Sequence, residues 1–245
     1  MRSISCWVLL LVVLFAIFSA PHCAAFLLTS TSTTSTSISL RPHYRSIRLL
    51  AKITNEDEDK GKHWTTVGEI AKICTPWVKL LGERLLDNDG KELEYWRVEK
   101  EDSAVILTLH RNTLVFPRPM FRPGLGRMTL DFPGGRVPST AEKPPIDLVP
   151  AILQRELNIP HITNVNDSAN VSIDSLNEIG WPVNSSFSNQ RLFGFIAVLD
   201  DTLELDESSI LRYETNTCEI EKLLSKDLEC LQCRSVLLEW LRIKG

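Results

Sequence analysis

Met120-Phe-Arg-Pro-Gly-Leu-Gly-Arg-Met-Thr-Leu-Asp-Phe-Pro-Gly-Gly-Arg-Val137 is the stretch on which the fold turns. Residues 128–132 read as a strand that stops at Pro133-Gly134-Gly135. Two adjacent glycines allow backbone angles and a closeness of approach that other residues resist, so a functional loop is expected at Gly134 and Gly135. Upstream, residues 94–100 alternate, residues 104–109 form a buried-type run, and residues 113–116 pair with that run across His110-Arg111-Asn112. Downstream, Pro138, Pro144, Pro145 and Pro150 delay regular structure until a short helix over 151–157, which carries Arg155-Glu156-Leu157.

The same reading extends to both ends of the body. Val67, Ile70, Ala71, Cys74 and Val78 stand at helical spacing, interrupted by Pro76, and predict a short helix. Residues 171–179 and 191–199 read as two further strands. Residues 218–243 hold an amphipathic helix through Leu231, Val236, Leu237, Trp240 and Leu241. No repeat is visible, and strands and helices mix without regular βα alternation, so one α/β domain built as a sandwich on a mixed sheet is expected over residues 64–245.

The N-terminal residues read as an address. Arg2 precedes a fifteen-residue apolar run from Cys6 to Ala20, and small residues end at Ala24-Ala25, so residues 1–25 read as a signal peptide. Fifteen residues fall short of the roughly 20 needed to span a membrane. Residues 29–39 are nearly pure Ser and Thr, and Arg41, Arg45 and Arg48 follow with no acidic residue before Glu56, so residues 26–50 resemble a transit peptide. The pair looks like the two-part presequence of proteins sent to secondary plastids, the alternative being a secreted protein with a Ser/Thr-rich stalk. Residues 51–63 read as a charged linker.

Four of the 27 basic residues and none of the 31 acidic ones lie in the first fifty, which leaves the remainder near a net charge of about −8. General attraction to nucleic acid is excluded on that balance, and no membrane association is expected after processing. Cys230 and Cys233 form a Cys-x-x-Cys pair, but His63, His110 and His161 stand at no ligand spacing from it. Buried, reduced thiols on a helix are therefore expected rather than a zinc half-site or a redox pair.

The quoted stretch, followed by Arg155-Glu156-Leu157, resembles the ADP-ribose pyrophosphatase branch of the Nudix hydrolases. A second segment, Asn184-Ser-Ser-Phe-Ser-Asn-Gln-Arg-Leu-Phe-Gly-Phe195, looks like that branch's Ser-Pro-Gly-Phe-Ser entry into a strand. The likeness runs from about Tyr95 to Leu199. It implies a Nudix-type α/β/α sandwich with a mixed β-sheet, a small-molecule nucleotide derivative as partner, and Mg²⁺ as cofactor.

In that family three glutamates at i, i+3 and i+4 of one helix hold Mg²⁺ against a diphosphate. Here the matching positions are Glu156, Ile159 and Pro160, so one carboxylate of three remains. The resemblance makes Glu156 the metal ligand, Glu156 and Arg155 the catalytic pair, and Arg122, Gly134, Gly135, Arg136 and Phe187 the substrate contacts. Trp181 is an alternative to Phe187 as a base-stacking residue. A Glu142–Arg155 ion pair is conceivable, as are two solvated charges. Asp131, Asp200, Asp201, Glu204 and Asp206 are candidate substitute acids. The expected function is binding of an ADP-ribose or nucleotide-sugar type compound with weak or lost hydrolysis. An active pyrophosphohydrolase with substitute ligands and an assembly protein of the plastid are the alternatives.

Overall fold

A computed structural model describes residues 63–140, 142–159 and 170–245. The presequence, most of the charged linker and Pro160 lie outside the described residues. The chain begins with an antiparallel three-stranded sheet, β1 (Thr65–Cys74), β2 (Lys79–Leu86) and β3 (Glu92–Glu99). The short helix expected over 67–79 is instead β1, the turn at Thr75–Val78 and the start of β2. Thr75 Oγ1 accepts the Val78 N–H at 3.0 Å and closes that turn. Trp96 of β3 lies flat on Gly82 of β2, where an added Cβ would meet the ring at 2.8 Å.

The central sheet follows from β4 (Asp102–His110), β5 (Thr113–Pro117), β8 (Gly134–Val137), β9 (Val171–Ser175), β10 (Trp181–Pro182), β11 (Arg191–Leu199) and β12 (Ile210–Glu214). The pair β6 (Met120–Arg122) and β7 (Arg127–Thr129) forms a separate ribbon. β4 runs parallel to β11 and antiparallel to β5 and β8, so the sheet is mixed. Arg111 and Asn112, at φ 49° and 58°, make the tight two-residue turn that joins β4 to β5.

The centre of β4, residues 104–107, is an unbroken apolar run because both its faces are covered. Ala104 and Ile106 pack with Val149, Ile152, Leu153 and Leu157 of α1 (Val149–Leu157). Val105 and Leu107 pack with Val236, Leu237 and Trp240 on the other face. The amphipathic helix expected within residues 218–243 forms in the second part of that range, after a separate short helix. α2 (Thr217–Lys222) is capped by Asn216 through the Glu219 N–H at 2.9 Å and runs on into a wider turn, Leu223–Asp227. α3 (Leu231–Lys244) starts afresh after Cys230. The α/β/α sandwich with a mixed sheet is therefore the architecture formed, with α1 on one face and α3 on the other. Among the described residues no helix is long and apolar enough to cross a membrane.

His110, 1% exposed at the end of β4, sits with its Nδ1 3.0 Å from Arg212 Nη2. Burial, then the Arg212 and Arg111 charges, hold its pKa below the ordinary value against the opposing pull of Asp201 and the Asp200 backbone. A depressed folded pKa means the unfolded chain takes up the proton first, so stability is full above the unfolded value of about 6.5 and falls as pH drops below it. We expect the wild-type melting temperature to decline as pH falls through that window and the His110→Gln variant to show a flatter profile. Parallel profiles for the two proteins would refute this.

Candidate functional site

The Gly134-Gly135 pair is a strand and not the loop expected from sequence. β8 lies antiparallel on β4, with Val105 opposite Gly134 and Ala104 opposite Gly135. Neither glycine has a positive φ; the positive-φ glycines among the described residues are Gly90, Gly126 and Gly180. What the glycines supply is close approach. A Cβ on Gly134 would stand 3.0 Å from the Ala104 carbonyl oxygen, and one on Gly135 would stand 3.0 Å from Ile152 Cδ1 of α1. The two residues thus let the strand pass between its neighbour and the helix.

Arg155 locks that arrangement. Its Nη2 donates to the Gly134 carbonyl at 2.7 Å and its Nε to Glu156 Oε1 at 2.8 Å. Its partners are therefore the strand and its own neighbour, and among the ion pairs formed none joins it to Glu142. Arg155 lines neither cleft described below.

Two neighbouring clefts open beside β8. The smaller, about 410 Å³, is lined by Arg122, Asp131, Gly134, Gly135, Arg136, Glu156, Cys230 and Cys233 among others. The larger, about 730 Å³, has Trp77, Arg136, Asn184 and Phe187 in its walls. Ser103, Arg136 and Gln232 belong to both. Five of the seven residues picked from sequence thus line the smaller cleft, and Phe187 lines the larger. Trp181 is half-buried and packs on the α3 side of the sheet, so it is a core aromatic.

Phe187 is held at the cleft by main-chain geometry. Its carbonyl accepts the Val98 N–H at 2.7 Å, and Ser188 bridges Val98 in parallel. Trp77 was not picked out from sequence. It is 65% exposed in the turn between β1 and β2, and the Arg136 guanidinium lies 4.3 Å from its ring centroid. An isolated tryptophan beside a proline carries no sequence signal for such a role.

Among the described residues Glu156 belongs to no group of metal-ligating side chains. α1 ends at Leu157, because Asn158 takes the left-handed conformation at φ 55°. Ile159 is fully buried in the α1-side core, where a carboxylate would be expensive to place. The helix offers an oxygen-held Mg²⁺ one carboxylate, already accepting from Arg155, where the resemblance implies three, so phosphate oxygens of a ligand and water would have to supply the rest of the shell.

The proposed substitute acids divide. Asp201 and Glu204 accept from Arg111 at the β4–β5 turn, and Asp206 accepts from Ser208 within its own turn. None of these three, nor Asp200, lines either cleft. Asp131 does, and its Oδ2 accepts from Arg122 Nε at 2.7 Å and from Thr129 Oγ1 at 3.1 Å. It also stands with Cys230 and Cys233 in one group whose ligand atoms lie within 4.8 Å of one another. A hydrogen bond from the Cys233 thiol favours the Cys230 thiolate, while that bond and burial keep the proton on Cys233.

Neither a protein-family model nor a curated protein sequence matches the chain. Among solved structures it is similar to an ADP compounds hydrolase, with a TM-score of 0.51 and 14% identity, over 74% of this chain and 96% of that one. At that identity the likeness speaks for the fold alone, the α/β/α sandwich on a mixed sheet.

We expect Gly134→Ala to destabilise the chain by about 1–3 kcal/mol, because the clash is with backbone. Gly135→Ala should cost less, since the Ile152 side chain can give way. Urea midpoints for the two variants check the order; Gly134→Ala at the wild-type midpoint would contradict the close packing.

Proposed function

We propose that the chain binds a nucleoside diphosphate derivative of ADP-ribose or nucleotide-sugar type across the two clefts and hydrolyses it slowly or not at all. The observation that carries this reading is Arg136, which lines both clefts beside the glycine strand and Arg122. Guanidinium forks suit diphosphate oxygens, and the exposed faces of Trp77 and Phe187 in the larger cleft suit a base. The fold shared with an ADP compounds hydrolase supports the same substrate class. Residues 1–50 carry the address, and we infer delivery to a plastid from their two-part composition.

Weak catalysis follows from the donor set. Nucleophilic attack of water on phosphorus in this fold relies on a cation to neutralise developing charge, and Glu156 alone does not assemble one. Recognition has no such requirement.

The test is a thermal-shift panel of nucleotide derivatives on the purified chain, with product analysis at each hit. We expect stabilisation by an ADP-ribose-like compound of about 5 to 10 °C at a concentration ~100 times Kd. Turnover with Mg²⁺ should stay below about 1 s⁻¹. Arg136→Ala should weaken binding by roughly 10-fold or more, the loss expected for a hydrogen bond to a charged group. Absence of any shift across the panel removes the recognition reading. Turnover at ordinary enzymatic rates removes the catalytic one.

A further inference from the structure

Sequence spacing gives Cys230 and Cys233 no histidine partner, but the fold supplies a carboxylate from about a hundred residues earlier. Asp131 follows β7, and Cys230 precedes α3. Arg127 of β7 pairs with Glu229 and ties the two segments together. Cys233 Sγ lies 3.9 Å from Asp131 Oδ1 and accepts the Phe132 N–H at 3.4 Å.

From this geometry we propose that Asp131, Cys230 and Cys233 form a binding site for a thiophilic divalent cation of the zinc class, in the wall of the smaller cleft. This does not depend on the nucleotide reading, since the ligands are assigned by their own positions.

Three features support it. Zinc takes thiolate at about 2.3 Å and carboxylate oxygen at about 2.0–2.2 Å, which puts tetrahedral sulfur and oxygen ligands about 3.6 Å apart. The observed 3.9 Å is within a small adjustment of that. The Asp131 carboxylate is already oriented, with Oδ2 taken by Arg122 and Thr129 and Oδ1 toward the Cys233 sulfur. Outer-shell hydrogen bonds of that kind fix a ligand's direction. Two thiolates and a carboxylate bring three negative charges against two on the ion, and the Arg122 guanidinium balances the remainder.

The sulfur ligands also choose the metal. Mg²⁺ takes oxygen and is rejected by such a set, whereas zinc accepts it. Binding releases the thiol protons to solvent. Three protein ligands leave the fourth position of a tetrahedron for water or for an oxygen of the cleft's ligand.

The test uses the full chain, reduced and stripped with a chelator. Titration with Zn²⁺ against a chromophoric competitor should give one tight equivalent. Co²⁺ in its place should give near-ultraviolet sulfur-to-cobalt charge-transfer absorption with visible bands of tetrahedral geometry. Replacing Cys6, Cys23, Cys74 and Cys218 by Ser should leave that spectrum intact, while Cys230→Ser should abolish it. Asp131→Asn should weaken Zn²⁺ by more than about 10-fold, the low end for loss of even an outer-shell partner. Circular dichroism on each variant separates loss of a ligand from loss of the fold. The assignment is overturned by no uptake, by a cobalt spectrum that survives Cys230→Ser, or by unchanged affinity in Asp131→Asn. It is equally overturned if Cys230 and Cys233 form a disulfide in oxidised glutathione with Zn²⁺ present, which would make the pair a redox couple.

Discussion

Gly134 fits against the Ala104 carbonyl and Gly135 against Ile152 because neither has a side chain, and the rest of the site is placed by those contacts. The strand they form enters from Phe132, whose ring stacks on Phe116 at 4.3 Å between centroids, and leaves through Arg136. Asp131, just before the strand, and Arg136, within it, thereby both line the smaller cleft. Arg155 adds the tie from α1, since its guanidinium reaches the Gly134 carbonyl across the same gap. Sheet, helix and cleft are set by one close approach.

The metal box fails for reasons of both charge and geometry. A helix that ends at Leu157 does not carry position 159 on the face of Glu156, whatever residue stands there. Ile159 then uses the position for packing, and burial of such a side chain stabilises by about 1.5–3 kcal/mol. Restoring a glutamate at that one place would lose this packing and strand a charge in the core, so a single substitution does not rebuild the cluster.

The elements most legible in the sequence were those with one dominant cause. The centres of β4 and β11 are apolar because both faces are covered, and the strand expected over Arg191–Leu199 forms with those bounds. The stretch read as a helix over 67–79 failed for a definite reason. β1 shifts register between Thr66 and Gly68 and again between Glu69 and Ala71, so its alternation is broken into intervals of three and four that mimic a helix. At the site, the residues drawn from the quoted stretch converge on the smaller cleft, whereas Trp77 and the grouping of Asp131 with the cysteines depend on tertiary packing. No spacing rule connects positions a hundred residues apart.

On the proposed reading, recognition and chemistry draw on different physical resources, so that one does not require the other. Binding a diphosphate needs fixed positive groups and an apolar surface, and Arg122, Arg136, Trp77 and Phe187 supply these without a metal. Cleaving it needs several negative oxygens gathered at one point, an arrangement that is costly to hold and is undone when a helix ends a turn early. Arg136 illustrates the first resource. Stacked on Trp77 between the clefts, its guanidinium is ordered by a face that leaves its in-plane N–H donors available to anionic oxygens on either side. Because that stacking is independent of Glu156, loss of the carboxylate cluster removes the catalytic charge and leaves the positive frame standing.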